Sequence, residues 1–248
     1  VLGADAKNAY WANWRGGRSQ VFPHERIYRN ALHTLLGGSH FERLQREAPI
    51  IRVAFSRAPR HLPLGVAVAL GLLAYNTEKH LLKPLHPSFG QRLGFRSEIA
   101  TVQQCTTESD LVDLIIQSSC TPPFTGVQYR DGRPTLDGGL VDNVPVRALS
   151  VGSDAPLSSR ANDSSRQPSV SARPDTLVLV TRRYANRDPV FQVGNRLYVQ
   201  PSRKVIASSW DYTAPEDYQA TYAQGRDDAD YFLRWLDREQ PDDVGDRI

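Results

Sequence analysis

Apolar residues recur every three or four positions in "FPHERIYRNALHTLLGG", where Ile27, Ala31, Leu32 and Leu35 make one face of a helix. Pro23 near its start, Glu25 in its first turn and Gly37-Gly38 after its last turn punctuate that helix. "PIIRVAFSRA" (49–58) is a continuous apolar run of strand length. "LGVAVALGLLAYNTEKHLLKPL" (64–85) predicts a helix stopped by Pro84. Its apolar core of about 11 residues is well short of the ~20 that span a bilayer. "RSEIATVQQC" (96–105) alternates as a strand does, and "TTESDLVDLIIQSSC" follows as a helix. Thr107, with Asp110 three residues on, predicts a capping box, and Leu111, Leu114 and Ile115 share a face. Pro122-Pro123 blocks further helix.

"GVQYRDGRPTLDGG" predicts a hairpin turning at Asp131-Gly132, with Asp137 at the end of its second strand. Residues 150–174, rich in Ser, Pro and Arg, read as a disordered loop. "TLVLVTRRY" (176–184) then predicts a central strand and "LYVQPS" a further short one. In the closing stretch "APEDYQATYAQGRDDADYFLRWLDRE" a long helix is expected, with Tyr218, Tyr222, Ala229, Phe232, Leu233 and Leu236 available to face a core. The opening "VLGADAKNAYWANWRGGRS" has helix-like spacing at Tyr10, Trp11 and Trp14, ended by Gly16-Gly17.

Helices and strands therefore alternate, which predicts an α/β fold with a mostly parallel sheet flanked by helices. Because the core resumes at once after 150–174, residues 1–248 are read as a single domain with an internal loop. The length of 248 residues suffices for a sizeable core. A net charge of +3, from 30 Lys and Arg against 27 Asp and Glu without a basic block, gives no case for nucleic acid. Cys105 and Cys120 are too few for a disulfide framework and are expected to be reduced and mostly buried. The sequence shows no secretory signal and no transmembrane helix. It begins at Val1 and contains no methionine, so a piece of a longer chain is expected.

The candidate chemistry centres on "PTLDGGLVDNVPV" (134–146). An aspartyl-phosphate mechanism of the D-x-D-G-T type would need an acid where Thr135 stands and a Thr where Gly139 stands. A Ser-acid-His triad in α/β-hydrolase order is excluded with Asp137 as the acid, because His24, His33, His40, His61, His80 and His86 all precede it. Asp-Gly is also an ordinary turn, as Asp131-Gly132 nearby exemplifies.

The block "QSSCTPPFTGVQYRDGRPTLDGGLVDNVPV" (117–146) resembles the patatin-like phospholipase family: a helix ending in small residues and Pro, a hairpin, D-G-[GA], then N-x-P. The closing "YAQGRDDADYFL" is similar to that family's last helix. The resemblance implies a three-layer sandwich, here N-terminally incomplete, and a serine lipid acyl hydrolase, phospholipase or esterase, working by a Ser-Asp dyad. Asp137 would be its base, with Gly138, Gly139, Asn143 and Pro145 shaping the turn. The family's nucleophile lies in a G-x-S-x-G elbow, preceded by a Gly-rich stretch that supplies oxyanion donors, and neither motif is present. Ser39 in "GGSHF" and Ser19 in "GGRSQ" have the wrong glycine spacing, so no nucleophile is expected in this chain. The expected partner is a lipid or ester substrate; the helix from residue 64 reads first as a buried or half-buried helix, and in the sharper alternative as an interfacial element in peripheral membrane contact, flanked by Arg57, Arg60, Lys79 and Lys83. Neither a metal nor a cofactor is called for. The alternative is a non-catalytic lipid-surface or interaction module that has lost the elbow.

Overall fold

The computed structural model describes residues 24–78, 85, 89–122, 125–142, 144–145, 174–184, 186–207 and 214–239. Its contacts divide the chain into two compact units, Val1–Gly152 and Ser153–Ile248. The expected loop at 150–174, apart from Pro174, and the expected helix near Trp11 lie outside the described residues, as do Lys79, Lys83 and Pro84.

In the first unit, helix α1 (His24–Leu36) and helix α2 (His40–Glu47) precede strand β1 (Arg52–Arg57). Helix α3 (Leu64–Thr77) and the short α4 (Phe89–Arg92) lead to strand β2 (Arg96–Thr101), followed by helix α5 (Glu108–Ser118). The hairpin β3 (Gln128–Arg130) and β4 (Arg133–Asp137) comes last. The strands form one sheet in the order β2-β1-β4-β3. The buried face of α1 is Ile27, Ala31, Leu32 and Leu36, so the helix turns slightly further than expected and Leu36 takes the place of Leu35. Leu32 and Leu36 pack with Phe41, Phe55, Leu111 and Leu114 in one core cluster. α5 has the predicted capping box in full: the Thr107 hydroxyl accepts from the Asp110 amide and the Asp110 carboxylate accepts from the Thr107 amide.

A mostly parallel sheet is not what these strands form. β1 is antiparallel to β2 (Arg57↔Arg96 to Arg52↔Thr101) and to β4 (Phe55↔Asp137), and β3 is antiparallel to β4. The reason is the path between β1 and β2. The excursion through α3 and α4 leaves from Arg57 and returns beside it at Arg96, at the same end of the sheet, so the next strand runs back down. A helix between two strands predicts a parallel pair only when the connection crosses to the other end.

In the second unit, strands β5 (Thr176–Leu179), β6 (Val190–Val193) and β7 (Arg196–Val199) form a sheet in the order β5-β7-β6. β5 and β7 are parallel, the only such pair among the described residues, and β6 and β7 make a hairpin through Gly194 at φ 61°. Buried Gln200 ties the 184–188 loop to this sheet, accepting from the Tyr184 amide and donating to the carbonyls of Arg187 and Asp188. The closing helix α6 (Pro215–Glu239) does not use the expected apolar positions. Tyr222, Ala229 and Leu233 are exposed, Tyr218, Phe232 and Leu236 are half-buried, and Gln224 is the buried residue. The helix is held instead by a polar stripe: Thr221 accepts from the Ala207 amide, Gln224 donates to the Arg203 carbonyl, and Asp228 accepts from the Ser202 amide.

Candidate active site

The hairpin that delivers Asp137 is set by its turn. Asp131 and Gly132 both have positive φ, 52° and 69°, the pairing that lets a two-residue turn follow the twist of its strands. Its base is laced by Arg57, which is 2% exposed. The guanidinium donates to the carbonyls of Arg130 at 3.1 Å and Arg133 at 2.8 Å, pairs with Glu98 at 2.8 Å, and lies over the Phe55 ring. Arg57 is therefore spent inside the fold rather than flanking α3 at a surface.

Along β4 the side chains alternate. Leu136 is fully buried, packed with Ala67, Phe95, Leu140 and Val141, while Thr135 and Asp137 lie on the opposite face. The Asp137 amide donates to the Cys120 carbonyl at 2.7 Å, which ties the strand end to the residues after α5. Its carboxylate then folds back over the next turn: Oδ1 accepts from the Gly139 amide at 2.7 Å and Oδ2 from the Thr121 hydroxyl at 3.4 Å. Asp137 thus caps the single turn of 3₁₀ helix at Gly138–Leu140.

Gly138 is required for a reason the sequence does not display. A Cβ there would stand 2.4 Å from the Ala54 carbonyl oxygen of β1, closer than side chains approach backbone. The same Ala54 carbonyl accepts from the Ser118 hydroxyl at 2.7 Å, and the Ser56 hydroxyl donates to the Gly138 carbonyl at 3.4 Å. The bend after Asp137 therefore sits directly on the backbone of the neighbouring strand.

Burial raises the Asp137 carboxyl above the usual carboxylate range, and the Gly139 amide and Thr121 hydroxyl only partly oppose it. Among the described residues no cation pairs with it. A carboxylate offers about four lone-pair directions. Two are used here, so the group retains the capacity to accept a proton. Partial loss of solvent likewise raises the phenol of Tyr28, a residue still 37% exposed, against a hydrogen bond to the Ser119 hydroxyl, and the charge of nearby Asp137 raises it further. Tyr28 and Thr121 are neighbours of the carboxylate that sequence reasoning missed. The only sequence hint for Tyr28 is its place one turn after Glu25, which itself accepts from the Gly126 amide and the Gln128 side chain.

The other candidates separate from this cluster. Asn143 and Ser19 lie outside the described residues, and Pro145 is exposed. Asp142 is a turn residue whose Oδ1 accepts from the Val144 amide at 2.9 Å. Ser39 precedes α2 at its N-terminal cap position, and its side chain makes no cap bond. The segment "HFERLQRE" (40–47), to which the sequence pattern assigns no element, is that helix. Cys120 is buried and Cys105 half-buried, both free thiols.

The family model described as "Patatin-like phospholipase" matches residues 3–150. No curated protein and no solved structure gives a match.

Proposed function

The chain belongs to the patatin-like phospholipase family, a family of lipid hydrolases, and on that premise we propose that it carries the base of a Ser-Asp dyad for lipid ester hydrolysis. The observation that carries the reading is Asp137 itself, a partly buried carboxylate with spare lone pairs and no ion-pair partner among the described residues, held at a strand end by bonds to Gly139, Thr121 and Cys120. A serine hydroxyl attacks an ester carbonyl only as its proton leaves. Asp137 would take that proton while the Oγ–C bond forms and the carbonyl electrons move onto oxygen. Collapse of the tetrahedral species expels the lipid alcohol, which recovers the proton from Asp137. Water, deprotonated by the same carboxylate, then adds to the acyl carbonyl, and collapse breaks the Oγ–C bond, releasing the fatty acid while the serine oxygen recovers the proton from Asp137. An ordinary carboxylate, near ~3.9, is a weak base for this step. The upward shift from burial brings Asp137 closer to the task.

We place the nucleophile outside these residues. G-x-S-x-G does not occur in the 248, and the one G-x-x-x-G spacing, Gly90 to Gly94, has Arg92 at its centre. The chain alone should give no turnover of p-nitrophenyl butyrate. Joined to an elbow-bearing segment of its own reading frame, it should turn over, and Asp137→Asn should then lower kcat about 10²–10⁴-fold, the usual worth of a general base. Turnover that survives Asp137→Ala would remove Asp137 from the chemistry. A reading frame with no elbow would favour the second reading, a lipid-surface module that kept the fold without the nucleophile.

A further inference from the structure

Helix α3 turns an apolar stripe to solvent where a surface helix ordinarily carries polar side chains. Ala67, Gly71 and Ala74 are its buried face, and along one flank Val66 is 47% and Leu73 64% exposed, with exposed Ala69 and Asn76 on the outermost side. No residue from Leu64 to Thr77 is charged. The buried face is made of small residues because the helix lies close to its neighbours. A Cβ on Gly71 would stand 3.2 Å from the Phe95 ring and 3.7 Å from Leu140, in the turn that follows Asp137. The exposed stripe is therefore the outer side of an element that packs directly on the candidate site.

Along the sequence, the charges that flank this helix are one-sided. Glu78 is the only acid between Arg57 and Ser97, against Arg57, Arg60, Lys79, Lys83, Arg92 and Arg96. Glu78 is itself buried and accepts from the Phe89 amide at 2.8 Å. With Arg57 committed to the hairpin, exposed Arg60 before α3, Arg92 on α4 and Arg96 at the start of β2 remain, none in an ion pair among the described residues.

We propose that the Val66–Leu73 stripe and these arginines form a docking face for an anionic phospholipid bilayer. The proposal rests on the lipid-hydrolase reading and adds to it the surface from which substrate is taken. Apolar side chains on one helix side enter the boundary between headgroups and acyl chains, while guanidinium groups meet lipid phosphates. The charge complementarity selects an anionic surface over a neutral one. At 14 residues α3 is about 21 Å long by its rise per residue, so it lies on the bilayer rather than crossing it.

The test is co-sedimentation of the 248-residue chain with vesicles of phosphatidylcholine alone or mixed with phosphatidylserine. Binding to the mixed vesicles is expected, weakened by salt and by omission of phosphatidylserine. Leu73→Glu and Val66→Glu should each reduce it about tenfold or more, as expected for charge placed in an interfacial apolar face, and Arg60→Glu by a smaller factor. All three positions are exposed, so unchanged thermal melting shows the fold intact. Asp137→Ala should bind vesicles as the parent does, which separates failure of the docking face from failure of the dyad. Absence of vesicle binding, or equal binding by Leu73→Glu and parent, overturns the proposal. So does self-association in the ultracentrifuge that Leu73→Glu abolishes while vesicle binding persists, which would assign the stripe to a second copy of the chain.

Discussion

Asp110, at the start of α5, and Asp137, at the end of β4, are both carboxylates that cap a helical turn, and their environments push them in opposite directions. Asp110 is fully exposed and is pulled down to about 2, first by the Thr106 hydroxyl and then by the Thr107 amide and hydroxyl and the Thr106 amide. Asp137 accepts fewer bonds and is partly buried, and the loss of solvent wins. The donors to Asp110 all lie within four residues of it, at 2.7 to 3.0 Å. Asp137 takes one bond from Gly139, two residues on, but is otherwise placed by β1 and by Cys120 and Thr121 after α5, which are far away in sequence. The difference shows what separates a structural cap from a candidate base: not the residue or its turn, but whether the donors saturate the charge before burial destabilises it.

The sharpest way to break that contrast is Arg57→Met. It removes the charged donor to the Arg130 and Arg133 carbonyls while half-exposed Glu98 regains water. We expect a loss of about 2–4 kcal/mol, given ~1.5–3 per hydrogen bond to a charged group, read from the urea midpoint. The Asp137 titration should move with it and that of Asp110 should not. Gly138→Ala comes next. The offending atom is backbone, so β4 or β1 must shift, at a cost of about 1–3 kcal/mol, with a displaced Asp137 carboxyl resonance in ¹³C NMR.

The smallest effect is in the pH dependence, and its sign differs between the two acids. Asp110, depressed in the fold, contributes stability that is present above the ordinary carboxylate value and lost as pH falls toward about 2. Asp137, raised in the fold, favours the folded state while protonated, and that contribution is lost as pH rises through its folded value. Asp110→Asn should therefore reduce the loss of stability in acid. Asp137→Asn should instead reduce the loss between acid and neutral pH, measured as urea midpoints across that range. Slopes of the same sign would erase the distinction drawn between them.

What was legible in the sequence was local. Thr107-x-x-Asp110 and Asp131-Gly132 each specify a structure through groups a few residues apart, and both form as read. The Asp137 bend was visible too, because Gly138 and Gly139 follow at once. What was not legible was long-range. Strand direction depends on which end of the sheet the excursion through α3 returns to. Tyr28 meets the site only once α1 packs beside α5. Arg57, one cation among many in the sequence, is buried because the carbonyls at the hairpin base happen to converge on it. On α6 the apolar positions form the visible pattern, whereas bonds from Thr221, Gln224 and Asp228 to the backbone of residues 202–207 hold the helix.

The two-residue turn at Asp131-Gly132 also sets a parity. Everything downstream in β4 counts from it, so one residue added in the turn would exchange the two faces of the strand. The carboxylate would then be driven into the apolar packing that Leu136 fills, and the leucine turned toward Thr121. Lengthening this bend by two residues preserves the count; lengthening it by one reverses which side of the sheet is able to do chemistry.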